Sequence, residues 1–310
     1  SSGMTESNLV DNNVSALNGT SDGMTTANLV NSDLTRSIPY SSYSMNFDVL
    51  DADYIDCGTN VIGDESNLSI SVWIKTIAAL SGSLSYGIIY NGDFSSSMGK
   101  ISLLIDTTQK LRIHLNSGYV WRTDWTSYQD KWTHLVLSYD GSSASNSKVY
   151  VNGVVDAGDG TYTFSTGNID GSGLKTIIGS YYGSSNTFDG KLSNAAVFGS
   201  TLTEDQVLTI YNGGVPNSIS SLSPVGWWSL AGDSYYNGTD WICPDLGSGG
   251  NNGTSANMSG TELVGDAPGG SANGTSTNMD IPTNLKGNAP NSSNNAFSVN
   301  MDTADRVSGS

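Results

Sequence analysis

The sequence is short of charge. Only 13% of its 310 residues are Asp, Glu, Lys or Arg, against about a quarter in an average protein. Bases are scarcest: 12 Lys and Arg face 29 Asp and Glu, a net charge of −17. A chain of that sign does not neutralise phosphates, so nucleic acid is not an expected partner. Glu is rare too. Apart from Glu6, Glu65, Glu204 and Glu262, every acid is Asp. No apolar run reaches the roughly 18 residues of a membrane helix, so insertion into a membrane is not expected. The start shows no basic-plus-apolar leader. It opens inside a repeated pattern at Ser1-Ser2-Gly3, so the natural start is expected further upstream. Two Cys (Cys57, Cys243) and two His (His114, His134) lack the close spacing of a zinc site. Cys57 and Cys243 can pair only if the segment around Cys243 folds beside Tyr54–Gly58. What fills the chain is Ser, Thr, Asn, Gly and Asp, all poor helix formers. That composition suits strands joined by turns.

An internal repeat organises the ends. Asn18-Gly19-Thr20-Ser21, Met24 and Leu29-Val30 recur with identical spacing at Asn252-Gly253-Thr254-Ser255, Met258 and Leu263-Val264. A shorter copy runs from Asn273 to Met279, and Gly3-Met4 to Leu9-Val10 matches the tail of another. Ser44-Met-Asn-Phe-Asp48 returns as Ser298-Val-Asn-Met-Asp302. The chain thus reads as one period followed by the start of the next. We divide it into a spacer (1–43), a dense body (44–214), a Trp-Trp segment (215–254) and a second copy of the spacer pattern (255–310).

The body carries short apolar runs such as Leu68-Ser-Ile-Ser-Val-Trp-Ile74, Ile101–Ile105, Leu111–Leu115, Trp132–Tyr139 and Lys148–Val151. Turn dipeptides punctuate them: Asn91-Gly92, Asp140-Gly141, Asn152-Gly153 and Asp189-Gly190. The pattern predicts an all-β, antiparallel two-sheet jelly-roll sandwich. One short helix is predicted at about 203–212. Thr203 and Gln206 form a capping box, Leu202 and Val207 a hydrophobic staple, and Gly213 is a stop.

Four pieces in order carry a family resemblance: Tyr43–Asp48 leading to Asp53–Asp56, Leu68–Lys75, Lys131–Asp140 with Val149–Gly153, and Phe188–Leu192 with Leu202–Gln206. Together they resemble the laminin-G-like, concanavalin-A-like lectin/glucanase superfamily. Val225-Gly-Trp-Trp-Ser-Leu230 looks like the opening of such a domain, but it follows the body. The Asn-Gly-Thr-Ser…Met spacer resembles modular structural proteins of bacterial viruses, marine ones in particular.

The resemblance includes glycosidases, but the Glu-x-Asp-x-x-Glu strand that supplies their two carboxylates is missing. No Gly-x-Ser-x-Gly elbow supports a hydrolase either. A non-enzymatic protein is therefore expected. Trp121-Arg122-Thr123-Asp124-Trp125 and Tyr181-Tyr182 combine flat aromatic faces with polar groups, which makes them candidate carbohydrate ligands or packing residues. The resemblance also implies a Ca²⁺ site at a sandwich rim, for which Asp51, Asp53 and Asp189 are the candidates. His134, Trp73 and Trp132 read as core. Trp227, Trp228 and Leu230 are candidate assembly residues, able to close their own sandwich or that of a neighbour.

The expected function is a structural or adhesive module of an extracellular assembly, a virion surface or tail appendage, with carbohydrate bound by sandwich loops. The expected partners are copies of itself, other structural subunits and host-surface glycans. The alternative is a dedicated Ca²⁺-dependent lectin domain of a bacterial adhesin.

Overall fold

The computed structural model describes residues 43–269, apart from 95–98, 117 and 183–184, with only the backbone described at Tyr182 and Ser185. The repeat copies at 1–10, 18–30 and 273–279 and the segment 298–302 lie outside the described residues.

Two antiparallel sheets face each other. Sheet I runs, from one edge, Val154–Val155, Lys148–Val151, Thr133–Asp140, Asn67–Thr76, Gly190–Phe198, Ser44–Phe47 and Leu263–Val264, and Gly226–Trp228 also pairs with Gly190–Phe198. Sheet II runs Tyr235–Tyr236, Trp241–Cys243, Gly253–Ala256, Tyr54–Thr59, Lys175–Ile178, Tyr86–Gly92, Ile101–Ile105, Lys110–Leu115 and Gly118–Asp124. The sandwich predicted from strand spacing is the observed architecture.

Alternation along each strand sorts side chains between two cores. Leu68, Ile70, Val72 and Ile74 point between the sheets, where they meet Leu135, Leu137, Tyr139, Ile55 and Phe47. Residues on the opposite face of sheet I build a second core: Val136, Tyr150, Ala196 and Phe198 pack under Leu202, Val207, Ile210 and Trp227. That second core is why Asn67–Thr76 is buried along nearly its whole length.

The helix spans Glu204–Tyr211, and both halves of the Thr203/Gln206 capping box form. Asn212 (φ 42°) and the predicted stop Gly213 (φ 65°) both take left-handed positions at its end. Val207 and Ile210 face sheet I.

The segment after 214 is part of this sandwich. Trp228 pairs with Ala195 and Trp227 with Ala196. Adjacent side chains on a strand diverge, so Trp228 enters the inter-sheet core and Trp227 the outer one. Leu230 is buried as well. The division drawn at 254 falls inside a folded element, because Gly253–Ala256 pairs with both Tyr54–Thr59 and Trp241–Cys243. Leu263–Val264 then pairs with Ser44–Met45.

Cys57 and Cys243, whose pairing the sequence leaves open, do not form a disulfide. The two thiols are free and buried, and they lie on the two strands that flank Gly253–Ala256 on either side. Two strand spacings, roughly 10 Å, exceed the 7 Å limit for the Cα atoms of a disulfide.

Candidate functional site

A groove of about 430 Å³ opens at the edge of the sandwich. Trp121 lines it from Gly118–Asp124, the last strand of sheet II. Lys148 and Val155 come from the end hairpin of sheet I, Ser145 from the turn before it, and Asp156, Tyr162 and Phe164 from the loop that follows. Edge strands leave backbone groups unpaired, and this loop covers part of that edge. The Asp159 amide donates to the Arg122 carbonyl at 2.8 Å.

The loop is fastened by two carboxylates. Asp156 accepts from Trp121 Nε1 at 2.8 Å, from Thr123 Oγ1 at 3.2 Å and from the Gly158 amide at 3.1 Å. Asp159 accepts from Arg122 Nε at 2.5 Å and Lys110 Nζ at 3.1 Å. Its pKa lies well below the usual carboxylate range, because Thr161, Lys110 and Arg122 hydrogen-bond to the charged form. The aromatic rings stack in sequence. Trp121 lies on Phe164 with centroids 5.5 Å apart and an interplanar angle of 24°. The Arg122 guanidinium sits 5.6 Å over Tyr162, and Tyr162 is 5.7 Å from Tyr119. The groove therefore offers flat apolar faces beside a cation, carboxylates and hydroxyls. That combination is chemically suited to a ligand with C–H faces and hydroxyl rims.

The predicted ligand residues divide. Trp121 and Arg122 are at the groove. Asp124 is exposed and accepts from Thr126 Oγ1 at 2.6 Å. Trp125 takes the packing alternative and is not at the groove: it is 0% exposed and packs on Tyr128 at 4.9 Å in the core. The strand ends at Asp124 and a 3₁₀ turn begins at Thr126, which turns the Trp125 indole inward. Tyr181 lies in a small hairpin beside Tyr119, close enough for its phenol to help raise the Tyr119 pKa, behind the larger effect of burial. The Tyr182 side chain lies outside the described atoms. Tyr162, Phe164, Asp156 and Lys148 were not singled out from sequence. The alternation Tyr162-Thr-Phe164 inside a Gly- and Asp-rich stretch was the available signal.

The metal candidates do not form a cage. Asp51 is exposed, whereas Asp53 is 1% exposed and accepts the Asp48 amide at 2.9 Å. Burial, reinforced by Glu262, Asp51 and Asp48, pushes the Asp53 pKa up to about 6. Asp189 is also raised, by burial and then by Asp48. Among the described residues no three Asp, Glu, His or Cys converge on a point that could hold a metal ion.

His134 is core, as expected, but its partner is a side chain. Its Nε2 lies 2.8 Å from Ser71 Oγ, and Trp73 stacks on the imidazole at 4.8 Å. Complete burial lowers its pKa to about 3. Trp132 is only half-buried, its Nε1 donating to Asp266 at 2.9 Å. Among the described residues no helix is long and apolar enough to cross a membrane.

Comparison with solved structures supports the fold. A Bacteroides ovatus protein, assigned provisionally as carbohydrate-binding, superposes with a TM-score of 0.56 at 21% identity. The match covers 74% of this chain and 61% of that one, so this chain spans under two thirds of its length. Weaker likenesses are a heptameric SAP-like pentraxin of Limulus polyphemus (TM-score 0.38, 17% identity, 55% and 80% covered) and domain 4 of an extracellular arabinanase of Geobacillus stearothermophilus, solved with arabinotriose (0.34, 18%, 49% and 70%). Among curated proteins no sequence matches. A family profile of laminin G type matches residues 51–208, about half of the chain, and by that match the protein belongs to the concanavalin A-like lectin/glucanases superfamily.

Proposed function

We propose that this protein is a non-catalytic carbohydrate-binding module and that the groove beside Trp121 is its ligand site. One observation carries the reading: a groove of about 430 Å³ lined by Trp121, Tyr162 and Phe164 with Lys148 and Asp156 at hand. That size falls within the roughly 300–1,000 Å³ of small-molecule sites. The Bacteroides ovatus neighbour supports the same ligand class. The non-catalytic part rests on the carboxylates. A glycosidase needs a general acid with a raised pKa. Asp159 is instead held low, and Asp156 is occupied by three donors.

The module works, in this reading, as an adhesive unit of an extracellular assembly such as a virion surface or tail appendage. The repeat pattern at both ends of the chain and its resemblance to structural proteins of bacterial viruses support that setting. The test is a glycan array followed by calorimetry, comparing the wild type with Tyr162→Ala and Lys148→Ala. Both side chains sit at the groove rather than in the core, so melting temperatures should hold. Binding should fall at least about tenfold in each, the equivalent of one lost stacking or charged contact. A glycan that binds both variants as well as the wild type would move the site elsewhere.

A further inference from the structure

Bases are scarce in this chain, and most of those in the sandwich are held by aspartates. Lys75 and Lys191 pair with Asp266, Lys110 and Arg122 with Asp159, Arg112 with Asp106, and Lys175 with Asp56. Lys148 is different. It is half-buried at the groove, and among the described residues no carboxylate lies within ion-pair distance of its ammonium. Its Nζ donates to the Ser145 carbonyl at 3.0 Å. An ammonium has three N–H donors, so two stay open toward the groove. With 29 acids in the chain against 12 bases, a half-buried cation left without an acid is not explained by a shortage of partners.

The carboxylates of the groove are in the opposite state. Asp156 Oδ2 accepts from Trp121 and from the Gly158 amide, and its Oδ1 accepts from Thr123. Asp159 lies between Arg122 and Lys110, and the Arg122 guanidinium also covers the Tyr162 ring. These charges are committed to fastening the loop. What the groove presents to a ligand is therefore one uncommitted ammonium, beside aromatic rings and hydroxyls.

Resting on the reading of this groove as a sugar site, we propose that its ligand is a sugar carrying a single negative group, a carboxylate or a sulfate ester, within an otherwise neutral glycan. The oxyanion pairs with Lys148 while the sugar ring lies against the aromatic lining. A charge-assisted hydrogen bond is about twice as strong as a neutral one, so the negative group carries the selectivity. The limit of one such group follows from the surroundings. Asp140 begins the turn that carries Ser145, Asp156 and Asp159 stand in the loop, and the whole chain has a net charge of −17. Salt screens charges beyond roughly 8 Å, so a single acidic sugar responds chiefly to the ammonium it touches. A polyanion would lay its further charges beside those aspartates and be repelled.

The test pairs each acidic glycan with a neutral copy of itself. Uronate- and sialate-containing oligosaccharides are titrated by calorimetry beside the same oligosaccharides after reduction of the carboxyl group to an alcohol. Singly sulfated oligosaccharides are titrated beside their desulfated forms, and heparin serves as the polyanion. The wild type should bind the charged member of one class about tenfold more tightly than its neutral copy, and heparin no better than the neutral copy. The class that shows the preference identifies the negative group. Lys148→Gln should bind both members alike, at the wild type's affinity for the neutral one, and Lys148→Arg should keep the preference. Equal binding of charged and neutral members by the wild type, a preference that survives Lys148→Gln, or tightest binding to heparin would each overturn the proposal. If binding is still lost in Tyr162→Ala, the groove remains a sugar site and only the claim about charge falls. Binding that ignores Tyr162→Ala, or no binding by any of these glycans, removes the sugar-site reading and the proposal with it.

Discussion

Asp53→Asn should make the protein more stable at neutral pH and leave it unimproved in mild acid. Asp53 is 1% exposed, and one of its oxygens, Oδ1, is buried without a hydrogen-bond partner. Burial first, and then the carboxylates of Glu262, Asp51 and Asp48, lift its pKa from 3.8 to about 6. A raised acid binds its proton more tightly in the folded state than in the unfolded one. Below about pH 3 both states are protonated and no penalty exists. As pH rises from about 3 the unfolded chain loses the proton first, so stability falls through pH 6, and by about pH 7 the whole penalty is present. A shift of about two units at 1.36 kcal/mol each sets a ceiling of about 3 kcal/mol. Asparagine keeps an oxygen to accept the Asp48 amide but carries no charge. Its own buried amide adds a cost that does not vary with pH. The informative quantity is therefore the pH dependence of the difference between variant and wild type, measured by urea unfolding from pH 3.5 to 8. Asp189 titrates in both proteins and cancels. The difference should swing toward the variant by about 2 kcal/mol between pH 4 and 7. A flat difference would refute the assignment of the buried charge to Asp53.

Three further outcomes follow. Trp125→Ala should destabilise by about 3–5 kcal/mol and leave glycan binding intact in whatever fraction remains folded, since the indole is in the core; a stable variant that loses binding would return Trp125 to the site. Thr203→Ala removes the capping-box acceptor and should cost about 1 kcal/mol in urea unfolding, whereas a cost near zero would mean that packing of Val207 and Ile210 alone holds the helix. Millimolar Ca²⁺ should leave the melting temperature unchanged, because no three acids converge among the described residues; a clear rise would restore the loop of Asp51 and Asp53 as ligands by mass action.

The sequence by itself determined the elements. Alternation in Leu68–Ile74, turn dipeptides between runs and the Thr203–Gln206 box are local signals, and each rests on the few residues that make it. The helix ends in two left-handed residues, the predicted Gly213 and, one residue earlier, Asn212, which tolerates that conformation. What needed the tertiary structure was every choice between two faces or two partners. Trp121 and Trp125 look alike in one stretch, but a strand end and a 3₁₀ turn send one indole to the groove and the other to the core. Tyr162 and Phe164 become site residues only because hydrogen bonds to Asp156 and Asp159 tie their loop to a strand about 40 positions earlier. Asp51, Asp53 and Asp189 are acids at intervals that could serve a cation, and the fold turns Asp53 inward away from that role. The Trp-Trp segment carries the clearest case. Its alternation says that one indole goes to each face of a sheet, and that much is local. Which sheet it joins is a matter of long-range hydrogen bonding to Ala195 and Ala196, and no window of sequence contains both partners.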